Sequence, residues 1–221
     1  MNYADKYALT KDQNRRLAKM NLTRLVFTNS RFEGINTTLP QTQTIIDGLG
    51  VDGVSIDDIN TIVQLKRGWQ FVINSDDNVS LTFEEKVNEI VAKFDSLDPG
   101  HLRTGNGLVN TLNGEFTPPR VKQEDEEKYI QSLLNSDLSI TEKAMRVMYH
   151  NMRQQIFWDG NKRTATLVAN KLMIDSGAGL INVPLDKWGT WNQLISDYYD
   201  SGDVIPLLDW TYKNGIYGVR L

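Results

Sequence analysis

The residues with most chemical potential lie in one short stretch, Gln155 to Thr166, which reads QIFWDGNKRTAT. An acid (Asp159), a glycine (Gly160), an asparagine (Asn161) and two adjacent cations (Lys162, Arg163) fall together, and an amphipathic run, TATLVANKLMIDSG, follows. A glycine turn feeding a helix leaves backbone N–H groups unpaired at the helix's positive end, which makes an anion site. Lys162 and Arg163 add full positive charge where a phosphate would sit, and that placement opposes the helix dipole unless an anion is bound. Asp159 is an oxygen ligand suited to a magnesium ion accompanying the phosphate. Gln155, at the head of the stretch, offers hydrogen bonds but no base near neutral pH.

Helices must position this loop. Upstream, EKAMRVMYHNMRQQIF places Ala144, Val147 and Met148 on one face, as in a buried central helix. Downstream, Ala165, Val168, Ala169 and Leu172 give a second central helix a close-packing face, stopped by Gly177 and Gly179. Around this pair the periodicity predicts one helix from Lys11 to Thr28 and a short one from Leu39 to Leu49. A third follows an N-cap at Ser55, with Ile59, Ile62, Val63, Leu65, Trp69 and Val72 on its apolar face. Another is opened by Ser80 or Thr82, with Val87, Ile90, Val91 and Phe94 buried, and KQEDEEKYIQSLLNS reads as a further helix. RTGNGLVNTLNGEFTPPRV breaks the pattern: Leu108–Val109 and Thr111–Leu112 read as short strands, with Asn113–Gly114 a tight-turn pair. The C-terminal part holds one or two more helices, whose Trp191, Tyr198 and Tyr199 suit a core. His150 reads as structural.

The bulk properties narrow the class. The 221 residues are 40% hydrophobic and 24% charged, ordinary for a globular protein. A net charge of −4 disfavours nucleic acid as a partner. No apolar run reaches the roughly 20 residues that span a bilayer. The opening MNYADKYALTKDQNRR has no apolar core of signal-peptide type, and cysteine is absent, so the expected location is cytoplasmic.

The loop F-x-D-G-N-K-R-T-A resembles the signature of the Fic/Doc family, His-x-Phe-x-acid-Gly/Ala-Asn-Gly/Lys-Arg. That resemblance implies an all-α fold, a helical bundle of about eight helices with a small β-hairpin flap. It also implies AMP transfer from ATP, with Mg2+, to a Ser, Thr or Tyr hydroxyl of a protein target. By the same resemblance Asp159 is the metal ligand and a catalytic residue, Gly160, Asn161, Lys162 and Arg163 hold the nucleotide, and Arg163 clamps phosphate. Phe157 matches the aromatic that anchors the loop. Upstream, Ser30, Phe32, Glu33 and Gly34 resemble the family's inhibitory motif, whose glutamate enters the nucleotide site; Asn29 stands where its first Ser/Thr would be. The flap is matched by Arg103, Val109, Leu112, Gly114, Phe116, Pro118 and Pro119, with target docking at Val109, Leu112 and Gly114 by strand addition. The expected organisation is residues 1–38 as an N-terminal helix with inhibitory-type motif and 39–221 as the Fic-fold core; a homo-oligomer is compatible with it.

Two departures matter. Gln155 stands where the family carries its proton-accepting histidine, the loss of which costs a factor of about 10²–10⁴ in general-base catalysis. Thr166 stands where AMP-transferring members carry a second arginine, the usual partner of the inhibitory glutamate, so Glu33 either finds Lys162 or Arg163 or has no role. Three readings follow: an impaired AMP transferase, a non-catalytic nucleotide- or protein-binding module, and a phosphotransferase like the Doc toxin, which Lys162 favours.

Overall fold

Side-chain caps set half of the α-helix starts among the described residues. Thr10 and Thr38 form reciprocal capping boxes with Gln13 and Gln41, while Ser55, Ser80 and Ser139 each accept a backbone N–H from the first turn they open. The structure is a computed structural model that describes residues 3–221. Among these the helices are α1 (Lys11–Met20), α2 (Leu22–Asn29), α3 (Leu39–Ile46), α4 (Ile56–Asn74) and α5 (Leu81–Val91). They continue with α6 (Gln123–Leu134), α7 (Ile140–Gln154), α8 (Asn161–Ser176), α9 (Trp188–Ser201) and α10 (Ile205–Asn214). The described residues thus hold ten α-helices rather than about eight. The fold is all-α with two small antiparallel ribbons, β1 (Val109–Thr111) with β2 (Gly114–Phe116) and β3 (Leu180–Ile181) with β4 (Ile216–Tyr217).

The α7–α8 pair forms the centre. Ala144, Val147 and Met148 of α7 and Ala165, Val168 and Ala169 of α8 are all buried, and the small residues let the two helices approach closely. α4 and α5 close one side; Trp69 is fully buried and its indole donates to Asn29 Oδ1 at 2.9 Å. Residues 3–10 are laced onto the bundle by Asp5, which accepts from Thr141, and by Leu9 N, which donates to Gly177 O at 2.9 Å. Gly177 is obligatory there: with φ at 72°, an added Cβ would lie 1.7 Å from Leu9 O.

Three expectations are corrected. The helix expected over Lys11–Thr28 is two, because Asn21 turns its amide back onto Leu17 O at 2.8 Å and breaks the ladder. α5 ends at Val91 rather than running on, so Phe94 lies beyond it and is 58% exposed instead of buried. The hairpin is shifted: β1 begins at Val109 and carries Thr111, while Leu112 and Asn113 form the turn and Gly114, paired with Thr111, begins β2.

Candidate active site

The loop between α7 and α8 is built on an unusual backbone. Gln155 ends α7 in the left-handed region (φ 50°, ψ 54°), the one non-glycine residue with positive φ among those described. Its carbonyl accepts from Arg103 Nε at 2.7 Å, and Arg103 also donates to Gly105 O and Pro119 O, each at 2.6 Å. One buried guanidinium therefore fastens the end of α7 to both feet of the flap. Burial lowers the Arg103 pKa from its ordinary value. The loop then turns inward: Ile156 and Phe157 are buried with Leu81 and Ile130, and Leu102 pairs with Phe157 as a one-residue antiparallel bridge.

Asn161 closes the loop on itself. Its Oδ1 accepts from Phe157 N at 2.9 Å, and its Nδ2 donates to Phe157 O at 2.9 Å and to Gln155 Oε1 at 3.1 Å. Gln155 Nε2 donates to Met152 O at 2.6 Å, so both ends of its amide are engaged. Gly160 has φ 71°, and an added Cβ would meet Ala92 Cβ at 2.7 Å. From α5, Asn88 braces the same turn, donating to Asp159 O at 2.9 Å and Thr164 Oγ1 at 3.1 Å while accepting from Gly100 N at 3.0 Å. Asp159 Oδ1 accepts from Gly160 N at 2.5 Å, and its side chain stays 47% exposed.

Arg163 is fully buried. Its Nη1 donates to Val91 O at 2.6 Å and Asp95 Oδ2 at 2.7 Å, and Nη2 lies 3.5 Å from Asp159 Oδ1. Its Nε is 2.6 Å from Glu33 Oε1, a charge contact in which the N–H is not aligned for a hydrogen bond. Glu33 is thus paired with Arg163, one of the two cations of the loop expected as its partner. Thr166 is buried and donates to Lys162 O at 2.9 Å. The Glu33 turn is fixed from behind: Asn29 holds Trp69, Ser30 is buried and donates to Phe27 O at 2.9 Å, Phe32 packs between Trp188 and Trp191, and Gly34 closes the turn at φ 71°.

A cleft of about 480 Å³ opens in front of this loop. Glu33, Val109, Gln155, Asp159, Asn161 and Lys162 all line it, and Lys162 is the one basic side chain among its described lining residues. Burial lowers the Lys162 pKa, partly offset by the charge of Glu33. Burial also raises the Glu33 carboxyl above its ordinary value, against the pull of Arg163. Lys162 also borders a second cavity of about 170 Å³ between the flap and α9, walled by Leu112, Ser196 and Tyr199. The flap tip is tied to α9 there: Leu112 N donates to Ser196 Oγ at 3.1 Å, Asn113 Nδ2 donates to Asp197 and Asp200, and Phe116 stacks on Tyr199. Gly114 lies at the start of β2, beside the turn.

The structure therefore gathers Glu33, Gln155, Asp159, Asn161, Lys162 and Val109 around one cleft and sets Arg163 behind its wall. His150 lies elsewhere, stacked on Tyr129 with Nε2 2.7 Å from Glu126 Oε2. Sequence reasoning missed Asn88 and Asp95. The first had a signal, since Glu84 and Asn88 are polar one turn apart on a face that also carries Leu81; Asp95, in a loop, had none. No group of three or more His, Cys, Asp or Glu side chains suited to a metal occurs among the described residues. Asp159 alone fits Mg2+ held by one carboxylate together with substrate phosphates.

Residues 81–173 match the model of the Fic/DOC family. Protein adenylyltransferase fic-1 of Caenorhabditis elegans is 26% identical over 218 residues, covering 90% of this chain and 41% of that protein. Protein adenylyltransferase Fic of Drosophila willistoni is 25% identical over 186 residues, covering 80% of this chain and 36% of that one. The chain thus spans less than half the length of these relatives. Among solved structures, a Fic domain containing signaling protein from Bacteroides thetaiotaomicron superposes with a TM-score of 0.75 at 18% identity, covering 93% of this chain and 86% of that chain. Fic-1 from C. elegans gives 0.72 at 24% identity, covering 91% and 62%. These superpositions establish the Fic-type helical fold, as expected from the sequence. Among the described residues no helix is long and apolar enough to cross a membrane.

Proposed function

We propose that this chain is an adenylyltransferase-type Fic protein: it binds ATP with Mg2+ and transfers AMP to a Ser, Thr or Tyr hydroxyl of a protein target, slowly because of Gln155 and under restraint by Glu33. The observation that carries the reading is the ion pair between Glu33 and Arg163 at the rim of a cleft walled by Asp159, Asn161 and Lys162. A carboxylate held at a phosphate-type loop occupies charge that a nucleotide would otherwise claim. Lys162 and the first N–H groups of α8 receive the phosphates, and Asp159 holds the Mg2+, which supplies charge neutralisation at the phosphates. Lys162 links the cleft to the smaller cavity against Tyr199, where a base would lie. Arg163 joins the phosphates once Glu33 leaves, since it is now fully engaged by its protein partners. The flap at Val109, Leu112 and Gly114 registers the target backbone.

Transfer of AMP breaks the bond between the α- and β-phosphates, forms one from the target oxygen to the α-phosphorus and releases pyrophosphate and the hydroxyl proton. Positioning and charge stabilisation supply most of such a barrier reduction. Gln155 cannot take the proton, so water must. A second reading, a binding module without turnover, is favoured by one observation: both ends of the Gln155 amide are committed to Met152 O and Asn161 Nδ2.

The test is incubation with Mg2+, cell extract and ATP labelled at the α- or the γ-phosphate, for the parent and a Gln155→His variant. α-Label on protein, faster with Gln155→His by about 10²–10⁴, supports impaired AMP transfer. γ-Label indicates phosphate transfer instead. ATP binding with no transfer by either form indicates the binding module, and no ATP binding overturns the phosphate site.

A further inference from the structure

The guanidinium of Arg163 is used differently at its two ends. Its planar fork offers Nε and Nη2 side by side, a pair that can take two oxygens of one phosphate. On that edge Glu33 Oε1 lies 2.6 Å from Nε and Asp159 Oδ1 lies 3.5 Å from Nη2, and both residues line the cleft. Nη1, at the other end, donates to Val91 O at 2.6 Å and to Asp95 Oδ2 at 2.7 Å, and neither residue is among the cleft's described lining. We propose that Asp95 is a positioning residue for phosphate binding: it grips Nη1 so that the Nε–Nη2 edge already faces the cleft when Glu33 gives way. This role rests on the ATP reading above and adds to it the residue that aims the arginine.

The end of α5 supplies the whole clamp. Val91 is the last residue of that helix, and its carbonyl, one of those a helix end leaves unpaired, accepts from the arginine. Asp95 follows in a turn closed by its own N–H and that of Ser96, which donate to Ala92 O at 3.2 and 2.9 Å. One turn before Val91, Asn88 donates to Asp159 O at 2.9 Å, which ties the clamp to the loop carrying the cleft's acid. A loose arginine must be ordered by the phosphate it meets, whereas one fixed at Nη1 loses little further freedom on binding. Asp95 also repels a phosphate, but its side chain is 33% exposed and solvent screens that effect. Orientation therefore outweighs repulsion, and loss of Asp95 weakens binding rather than strengthening it.

The test compares Asp95→Asn and Asp95→Ala in the full chain. Each is made in the Glu33→Gln protein, where the edge is open, and in the parent, where Glu33 still shares the charge of Arg163 should the double variant not fold. Calorimetric titration with Mg-ATP reads affinity, and NMR of the Arg163 side-chain nitrogens in the ligand-free protein reads the rate of rotation about the Nε–Cζ bond. Asp95→Ala should weaken Mg-ATP by about tenfold and speed that rotation by a similar factor. Asp95→Asn keeps an oxygen for Nη1 and should stay within about threefold of its background on both counts. Unchanged rotation in Asp95→Ala overturns the clamp and leaves the ATP reading standing. Equal or tighter Mg-ATP binding by Asp95→Ala, or as large a loss in Asp95→Asn, overturns the positioning role. Mg-ATP binding by none of the proteins, with rotation still faster in Asp95→Ala, sinks the ATP reading and the phosphate role together.

Discussion

Replacing Glu33 with Gln removes one charge from the cleft and almost no volume. At 2.6 Å from Arg163 Nε the gross attraction is about 6 kcal/mol with an effective dielectric near 20. Burial nevertheless raises the carboxyl's pKa above the ordinary value, so desolvation outweighs that attraction. A group whose folded pKa is raised contributes its stability below the unfolded value and loses it as pH rises through the folded one. Glu33→Gln should therefore match the parent at pH 4 and be as stable or slightly more stable at pH 7. For ATP the sign is opposite to that of a lost contact. A phosphate charge about 4 Å from the ionised carboxylate meets about 4 kcal/mol of repulsion at the same dielectric. Magnesium and the 28% exposure of the Glu33 side chain reduce this to about 1–2 kcal/mol, or roughly five- to thirtyfold in affinity. Calorimetric titration with Mg-ATP checks it, and the parent alone should bind more tightly as pH falls and Glu33 takes up its proton. Equal ATP affinity in parent and variant would refute the inhibitory assignment. A stability loss of about 3 kcal/mol or more would refute the balance argued for the pair, since that is the cost of stripping a partner from a net-stabilising buried ion pair.

Three further outcomes follow from the scaffold. Glu84 is fully buried, and burial pushes its pKa up to about 8 against the opposing pull of the Asn151 side chain. The parent should lose stability between pH 4.5 and 8, by at most about 5 kcal/mol, while Glu84→Gln stays nearly flat in urea melts across that window. Asn88→Ala leaves Gly100 N and Asp159 O without their partner, and should cost about 2–3 kcal/mol in the same melts and loosen the loop, read as faster amide exchange at Gly160. Gly160→Ala combines a positive φ with a Cβ 2.7 Å from Ala92, and should cost about 2 kcal/mol or more while weakening ATP binding at least tenfold.

How much of this was readable in the sequence depended on how locally each feature is encoded. The α7–α8 pair was legible because small and apolar residues recur at helical spacing on both sides of the loop, and the cap at Ser55 announced itself by residue type, while residue type left Ser80 and Thr82 both open as the start of α5. The break at Asn21 was not, because a side chain bonding back to the preceding turn leaves the apolar periodicity intact. Phe94 was assigned to a buried face because the periodic pattern outran the helix, which stops at Val91. The loop's acid, glycine, asparagine and cations could be placed in one site, and Glu33 could be connected with them by resemblance. That Arg163 is enclosed by Glu33, Asp95 and Val91 could not be read, since those partners come from two segments far from it in sequence, the Glu33 turn and the end of α5. Asp95 lies in an exposed-looking turn, and nothing in its neighbourhood marks it as an arginine's counter-ion.

The left-handed backbone at Gln155 bears on reversibility. Histidine is among the few non-glycine residues enriched in that conformation, so the side chain at this position can change to an imidazole without the chain having to move. Arg103 grips the Gln155 carbonyl rather than the side chain, and that grip is indifferent to the substitution. Glutamine and histidine codons differ by one base at the third position. A single transversion would thus place an imidazole at this position without a change of backbone, and under the proposed function that is the proton acceptor the site lacks.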